Sequence, residues 1–137
     1  VRIEPVREAA VVCWHHGKVF VQRRPPGERW AGLWDFLRFG LEARDEKTSG
    51  RELARKVLQH SGLAIDKPRK IATLKHGVTR FRITLDCYQA RARGVMSTLP
   101  AGQWQWLEPA ALVQLPLNVT GRKLSRMLAE RPRVRDA

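Results

Sequence analysis

Leu74-Lys75-His76-Gly77-Val78-Thr79-Arg80-Phe81-Arg82-Ile83-Thr84-Leu85 alternates strictly from Phe81 onward. Phe81, Ile83, Leu85 and Cys87 point one way, and Arg82, Thr84, Asp86 and Tyr88 the other, which is the period of a half-buried strand. Ahead of it, His76-Gly77-Val78-Thr79-Arg80 reads as a turn carrying a hydroxyl and a cation. A turn held by a rigid strand is well placed to present side chains to a ligand. The plainer alternative is a tight hairpin turn with no ligand.

Upstream, Val6 to Trp14 is apolar with strand character, His15-His16-Gly17-Lys18 is a turn, and Val19-Phe20-Val21-Gln22 returns as a second strand. That is a β-hairpin pattern. With no third ligand nearby, His15 and His16 are expected to be solvated turn residues rather than a metal site. Arg23 to Arg29 is a basic, proline-bearing loop, and the aromatic-dense Trp30 to Phe36 is expected to end in a short strand. Residues 41–50 are polar and are expected to form a loop. Arg51 to His60 is helical in pattern, with Leu53, Val57 and Leu58 on one face and Gly62 as its stop.

Downstream, Lys70 to Leu74 and Arg80 to Ala90 are expected strands, followed by a Gly-, Pro- and Ser-rich loop over 91–102. Trp104 to Leu107 is a short strand and Pro109 to Val113 a short helix. Asn118 is placed to cap a last helix over 119–130, with Leu124, Met127 and Leu128 inward. The tail from about residue 131 is expected to fray. The order suits an α+β fold, an α/β sandwich with a mixed β-sheet between helices.

A chain of 137 residues suits one domain with its own core, taken here as residues 1–137. No run of ~18 apolar residues is present, so no membrane span is expected. The start, Val1-Arg2-Ile3-Glu4-Pro5, lacks both an initiator Met and a signal-peptide pattern. It reads as a fragment of a longer protein or as a processed chain, with an intracellular location, cytoplasm or nucleoid if bacterial. Two cysteines, Cys13 and Cys87, are too few for a disulfide scaffold or a thiolate metal site. They are expected to be buried thiols in a reducing compartment, with a single inter-strand bridge as the alternative. Charge is the strongest compositional signal: 26 Lys and Arg against 13 acids give +13. Such a field attracts polyanions, nucleic acid first among them, with a log–log salt slope of about −0.9 per phosphate neutralised.

The architecture and several strings resemble the MutT/Nudix fold. A working Nudix hydrolase carries G-x5-E-x7-R-E-x-x-E-E-x-G, because glutamates on one helix face hold Mg²⁺ against a diphosphate. Anchored on Gly62-Leu63, the pattern's arginine falls on Arg55, but its glutamates fall on Lys56, Gln59 and His60, and the upstream one on Lys47 beside Glu46. Shifting to Arg51-Glu52-Leu53 restores one Arg-Glu pair and puts Arg55 and Lys56 where metal glutamates belong. Neither frame builds a Mg²⁺ site.

A degenerate box of this kind resembles the C-terminal domain of MutY-type adenine DNA glycosylases. Val19 to Pro25 followed by Trp30-Ala31-Gly32-Leu33-Trp34-Asp35-Phe36 is similar to that family's Gln-x-Arg-Pro … Gly-Leu-Trp-x-Gly-Leu-Trp-x-Phe-Pro run, with Leu37 where Pro is usual. Trp106 with Leu115-Pro116-Leu117, and Arg122-Lys123-Leu124, are similar to its closing segments. Its Phe-Ser-His loop, which meets 8-oxoguanine, would be Val78-Thr79-Arg80 here, keeping the hydroxyl and replacing the aromatic and the histidine. Core packing is the plainer role for Trp30, Trp34, Trp104 and Trp106.

The resemblance implies a non-catalytic domain that helps recognise 8-oxoguanine opposite adenine in base-excision repair. Base excision and the iron–sulfur cluster would belong to an N-terminal glycosylase domain. This domain itself is expected to need no cofactor or metal. Its expected partners are double-stranded DNA with an 8-oxoguanine·adenine mispair and that N-terminal domain, with no membrane, as a monomer. Lesion recognition is assigned to His76, Val78, Thr79 and Arg80, and backbone contact to Arg82, Arg23, Arg24, Arg29, Arg122 and Lys123. Two other functions fit the sequence. One is a Mg-dependent Nudix hydrolase of oxidised nucleotides, drawing on Glu42, Asp45, Glu46 and Glu52. The other is a protein-interaction module using the aromatic 30–36 region.

Overall fold

The computed structural model describes residues 2–130, and of Val78 its backbone alone. The basic tail from Arg131 lies outside the described residues. The most apolar run, Ala9 to Trp14, lies in β1 (Glu4–His15) and is fully or almost fully buried along its whole length. Continuous burial means that both faces of the strand are covered. Ala9, Val11 and Cys13 pack into one core, with Leu53 and Val57 of the long helix. Ala10, Val12 and Trp14 pack into the other, with Leu124 and Leu128 of the C-terminal helix. The fold is therefore a mixed sheet between helices, as the sequence predicts.

β1 turns through His16 and Gly17, both at positive φ (49° and 78°), into β2 (Lys18–Arg23). Two positive φ values in a two-residue loop match the right-handed twist of the strands they join. β3 (Trp34–Asp35), β4 (Leu37–Gly40), β5 (Arg69–Val78), β6 (Phe81–Arg91) and β7 (Trp104–Leu107) complete a seven-stranded sheet of order β3-β2-β1-β6-β5. β4 pairs with β1 and β7 with β2 off that path, and β1 and β6 run parallel over eleven residue pairs from Glu4↔Phe81 to Trp14↔Arg91. A 3₁₀ turn (Pro109–Gln114) leads to α2 (Val119–Glu130). Asn118 caps α2 as expected, its Oδ1 accepting the Gly121 N–H at 2.7 Å. Met127, expected inward with Leu124 and Leu128, is partly buried against the same core.

α1 spans Glu46–Ser61, five residues longer at its start than the sequence pattern suggests. Asp45 is its cap, accepting the Thr48 N–H at 2.8 Å. Ser49 and Gly50 read as loop residues but are buried, Gly50 lying beside Pro68. Gly62 stops the helix at φ 78°, its N–H donating to the Leu58 carbonyl. Leu53 and Val57 face the sheet, whereas Leu58 is 51% exposed and not part of that face. One residue on from Val57 is a rotation of about 100° away from it.

Both cysteines are free and buried, and they sit on opposite faces of the sheet, which excludes the inter-strand bridge. Burial pushes each thiol up to about 12. No helix among the described residues is long and apolar enough to cross a membrane.

Candidate functional site

β5 and β6 pair antiparallel from Arg69↔Gln89 to Val78↔Phe81, with one irregularity between Lys70 and Ala72. The connection is Thr79-Arg80 alone, not the five-residue turn the sequence suggests. His76 and Gly77 are strand residues opposite Ile83 and Arg82, because a two-residue loop lets the ladder close to its end. Thr79 and Arg80 are exposed. Thr79 sits at φ 51°, a left-handed conformation that is a real outlier for a β-branched residue. Strain of that kind persists where surrounding structure holds it, and it clusters at functional tips. The Arg80 carbonyl accepts the Glu4 N–H at 2.8 Å, and its guanidinium lies 5.3 Å from the Phe81 ring centroid. Arg80 belongs to the turn rather than to β6, so strand pairing does not put it on a face with Arg82. Arg82 is exposed and lies between Pro5 and Gly77 in the sheet.

His76 is opposite Ile83 on the α2 side, its ring tilted 6.0 Å from that of Trp30. Partial burial and the nearby cations Lys123, Arg38 and Arg29 hold it below the usual histidine range. It is therefore a neutral donor and acceptor at pH 7 rather than a further charge. The hairpin, the Trp30 loop and α2 thus converge beside His76.

Under this convergence lies a buried polar centre that the sequence reading missed. Glu8 of β1 accepts two 2.7 Å hydrogen bonds from Arg29 and one of 3.2 Å from Arg38. Arg38 also donates to the Thr120 hydroxyl, and its Nε lies 3.3 Å from Asp35 Oδ2 without the alignment of a hydrogen bond. The guanidinium carbons of Arg29 and Arg38 lie 4.4 and 4.5 Å from the Trp30 ring centroid, within cation–π range. Trp30 has φ 61°, so a strained backbone presents this ring. Among the described residues, four buried side-chain nitrogen and oxygen atoms have no hydrogen-bond partner: Arg29 Nε, Asp35 Oδ2, Arg38 Nε and Asn118 Nδ2. Burial pushes the Asp35 carboxyl up against the opposing pull of Arg38 and Asn118. Burial likewise lowers the Arg38 guanidinium, against Asp35 and Glu8. Residues 8, 29–38 and 118–120 meet only through the fold; the one local signal was Asp35 and Arg38 inside an apolar stretch.

The backbone candidates divide into inward and outward groups. Arg29 is spent on Glu8. Arg24 reaches Glu28 at 3.1 Å and the Arg29 carbonyl at 3.4 Å. Arg122 donates to the Leu112 carbonyl at 2.9 Å and to that of Leu115, tying α2 to the 3₁₀ turn. Arg23, whose Nε reaches the Gly32 carbonyl at 3.4 Å, is exposed, as are Arg82 and Lys123. Of the tryptophans, Trp104 and Trp106 pack on Phe20 at 5.8 and 5.3 Å, as core residues do. Trp34 is partly buried against the opposite core.

α1 carries the degenerate box. Its one buried carboxylate, Glu52, accepts N–H groups from Ala43 at 2.9 Å and Glu42 at 3.1 Å, and Lys56 Nζ at 2.7 Å. Desolvation would raise Glu52, but Lys56 and the two N–H groups win and hold it at about 2. Asp45 is committed to its cap, and Glu42, Glu46 and Lys47 are exposed. Among the described residues no three His, Cys, Asp or Glu side chains come together to hold a metal. The Mg²⁺ of a working hydrolase does not fit this donor set: an ammonium already occupies Glu52, and Glu42 is the one other carboxylate lining that cleft, short of the three donors a metal needs.

A family model described as the NUDIX domain matches residues 9–126. Over 80 residues the chain is 29% identical to a Proteus vulgaris 8-oxo-dGTP diphosphatase, covering 58% of this chain and 70% of that one. The fold superposes on a MutT protein from Methanosarcina mazei with a TM-score of 0.78 at 14% identity, covering 94% of this chain and 96% of the other. It superposes on the C-terminal domain of mouse MUTYH, solved in complex with human PCNA, with a TM-score of 0.68 at 19% identity, covering 90% and 87%.

Proposed function

Starting from its membership of the NUDIX domain family, we propose that this chain is a non-catalytic recognition domain for 8-oxoguanine opposite adenine in DNA. The observation that carries this reading is the fate of Glu52. The family's helix is retained, but its buried carboxylate is closed by Lys56 and two backbone N–H groups. A helix so arranged supports folding, not diphosphate hydrolysis. The exposed, strained Thr79-Arg80 tip then offers a hydroxyl and a guanidinium to the lesion, with neutral His76 behind it. Of the backbone candidates, Arg82, Lys123 and Arg23 are exposed and able to take phosphates and set register. The likeness in fold to the mouse MUTYH C-terminal domain agrees with this role. The full protein would add an N-terminal glycosylase domain with its iron–sulfur cluster.

A second reading, a Mg-dependent hydrolase of oxidised nucleotides, is favoured by the likeness to the Proteus vulgaris 8-oxo-dGTP diphosphatase. Both readings share one ligand group, the 8-oxoguanine base. Two assays separate them. Fluorescence-anisotropy titration against duplexes holding 8-oxoguanine·adenine or guanine·cytosine is expected to show lesion preference in EDTA, lost in the double variant Thr79→Ala, Arg80→Ala. Magnesium-dependent release of pyrophosphate from 8-oxo-dGTP by the purified chain would overturn the recognition role in favour of hydrolysis.

A further inference from the structure

We propose that the outer face of α1 binds phosphate directly through Arg51 and Arg55, without a metal ion. The two residues are one helical turn apart, on one face, and both line an open cleft with Glu42, Thr48, Glu52 and Lys56. Both are exposed, and neither side chain makes a hydrogen bond or ion pair among the described residues; Arg51 feels the charge of the exposed cap residue Asp45. That sets them apart from Arg7, Arg24, Arg29, Arg38, Arg91, Arg93 and Arg122, each of which is bonded to a carboxylate or a carbonyl.

The cleft floor favours an anion. Lys56 Nζ is fixed at 2.7 Å from both Glu52 and the Gly40 carbonyl. Glu52, with its charge already balanced by Lys56 and two N–H groups, adds little repulsion. Glu42 is the one exposed carboxylate lining the cleft, and it opposes the site. With the Lys56–Glu52 pair cancelling, two cations, Arg51 and Arg55, face the one uncompensated acid of the cleft lining. The guanidinium fork matches phosphate oxygens two at a time, and unlike carboxylates it needs no Mg²⁺ as an intermediary. The same chemistry serves a free diphosphate or a phosphate of a DNA backbone. Only the second source rests on the DNA-binding role; the site itself does not.

The test uses the full chain. Inorganic pyrophosphate is titrated by calorimetry in EDTA and again with Mg²⁺, and anisotropy is followed with the two duplexes over a salt series. Binding of pyrophosphate in EDTA, weakened at least tenfold by Arg51→Ala, Arg55→Ala and strengthened by Glu42→Gln, is expected for a free-diphosphate source. For a backbone phosphate, the double variant weakens both duplexes equally and reduces the log–log salt slope by about 1 to 2. Lesion preference is untouched by it, whereas Thr79→Ala, Arg80→Ala removes preference and leaves this slope effect in place. Either pattern supports the site and names its source. Unchanged affinity and slope in the double variant, with Glu42→Gln also without effect, would overturn it. So would binding of pyrophosphate that appears only when Mg²⁺ is added.

Discussion

The buried centre around Glu8 and the outer face of α1 use the same two groups, guanidinium and carboxylate, in opposite ways. Around Glu8, Arg29 and Arg38 are drawn inward, bonded at 2.7 and 3.2 Å and laid against Trp30. On α1, the Arg51 and Arg55 side chains stand outside with no hydrogen bond or ion pair among the described residues, while the acid beneath them is closed by Lys56. A basic chain therefore uses some cations inside to join distant segments and leaves others, Arg51 and Arg55 among them, outside and available to polyanions. Net charge alone does not tell the two groups apart.

The largest effect expected from this contrast is at Arg38. Its side chain is 2% exposed, so Arg38→Met leaves the buried Asp35 without its cation and Glu8 with Arg29 alone. A loss of about 3–5 kcal/mol is expected in urea unfolding, the usual cost of breaking a buried pair. An equal loss for Arg51→Met would erase the distinction between the two regions.

Glu52→Gln comes next, at about 1–3 kcal/mol, the cost of weakening charged hydrogen bonds. It should also flatten the acid limb of stability. The Glu52 pKa falls from an ordinary 4.5 to about 2 on folding. Its contribution is therefore complete above pH 4.5 and lost as pH falls through 2. Asp35 works the other way. Its carboxyl is pushed up, so the folded state holds that proton more tightly, and stability declines as pH rises past the ordinary carboxylate range. A wild-type profile with no loss between pH 4.5 and 2 would contradict the Glu52 geometry.

A smaller change is expected at the hairpin tip. Thr79→Gly removes the left-handed strain and is expected to stabilise the chain by about 0.5–1 kcal/mol while reducing lesion preference. A stability gain with preference intact would mean that the strain serves no binding role. Smallest is Leu58→Ser, expected within about 0.5 kcal/mol because Leu58 is 51% exposed, against about 2–5 kcal/mol for Leu53→Ala beneath it. Thermal unfolding resolves the pair.

Much of the fold was legible where a local signal coincided with burial. The apolar run to Trp14, the His16-Gly17 turn, Asn118 and Gly62 each carry their structural role in residue type alone. The start of α1 was not, because Ser49 and Gly50 are poor helix formers that are buried against the sheet and beside Pro68. β4 and the last residues of β5 were missed for other reasons: the Leu37-Arg38-Phe39 alternation of β4 is only four residues long with its Gly40, and Gly77 in β5 reads as a turn residue. The hairpin tip could be read from the strand that follows it. The polar centre could not, since it joins residues more than a hundred positions apart, and periodicity carries no such pairing.

Lesion recognition at the tip is read from the ratio of affinities for the 8-oxoguanine·adenine and guanine·cytosine duplexes, measured by anisotropy in EDTA. A ratio clearly above one that falls to one in the Thr79→Ala, Arg80→Ala variant, with salt dependence retained, is the predicted result. Equal affinity for the two duplexes in the wild-type chain would contradict lesion recognition at this tip.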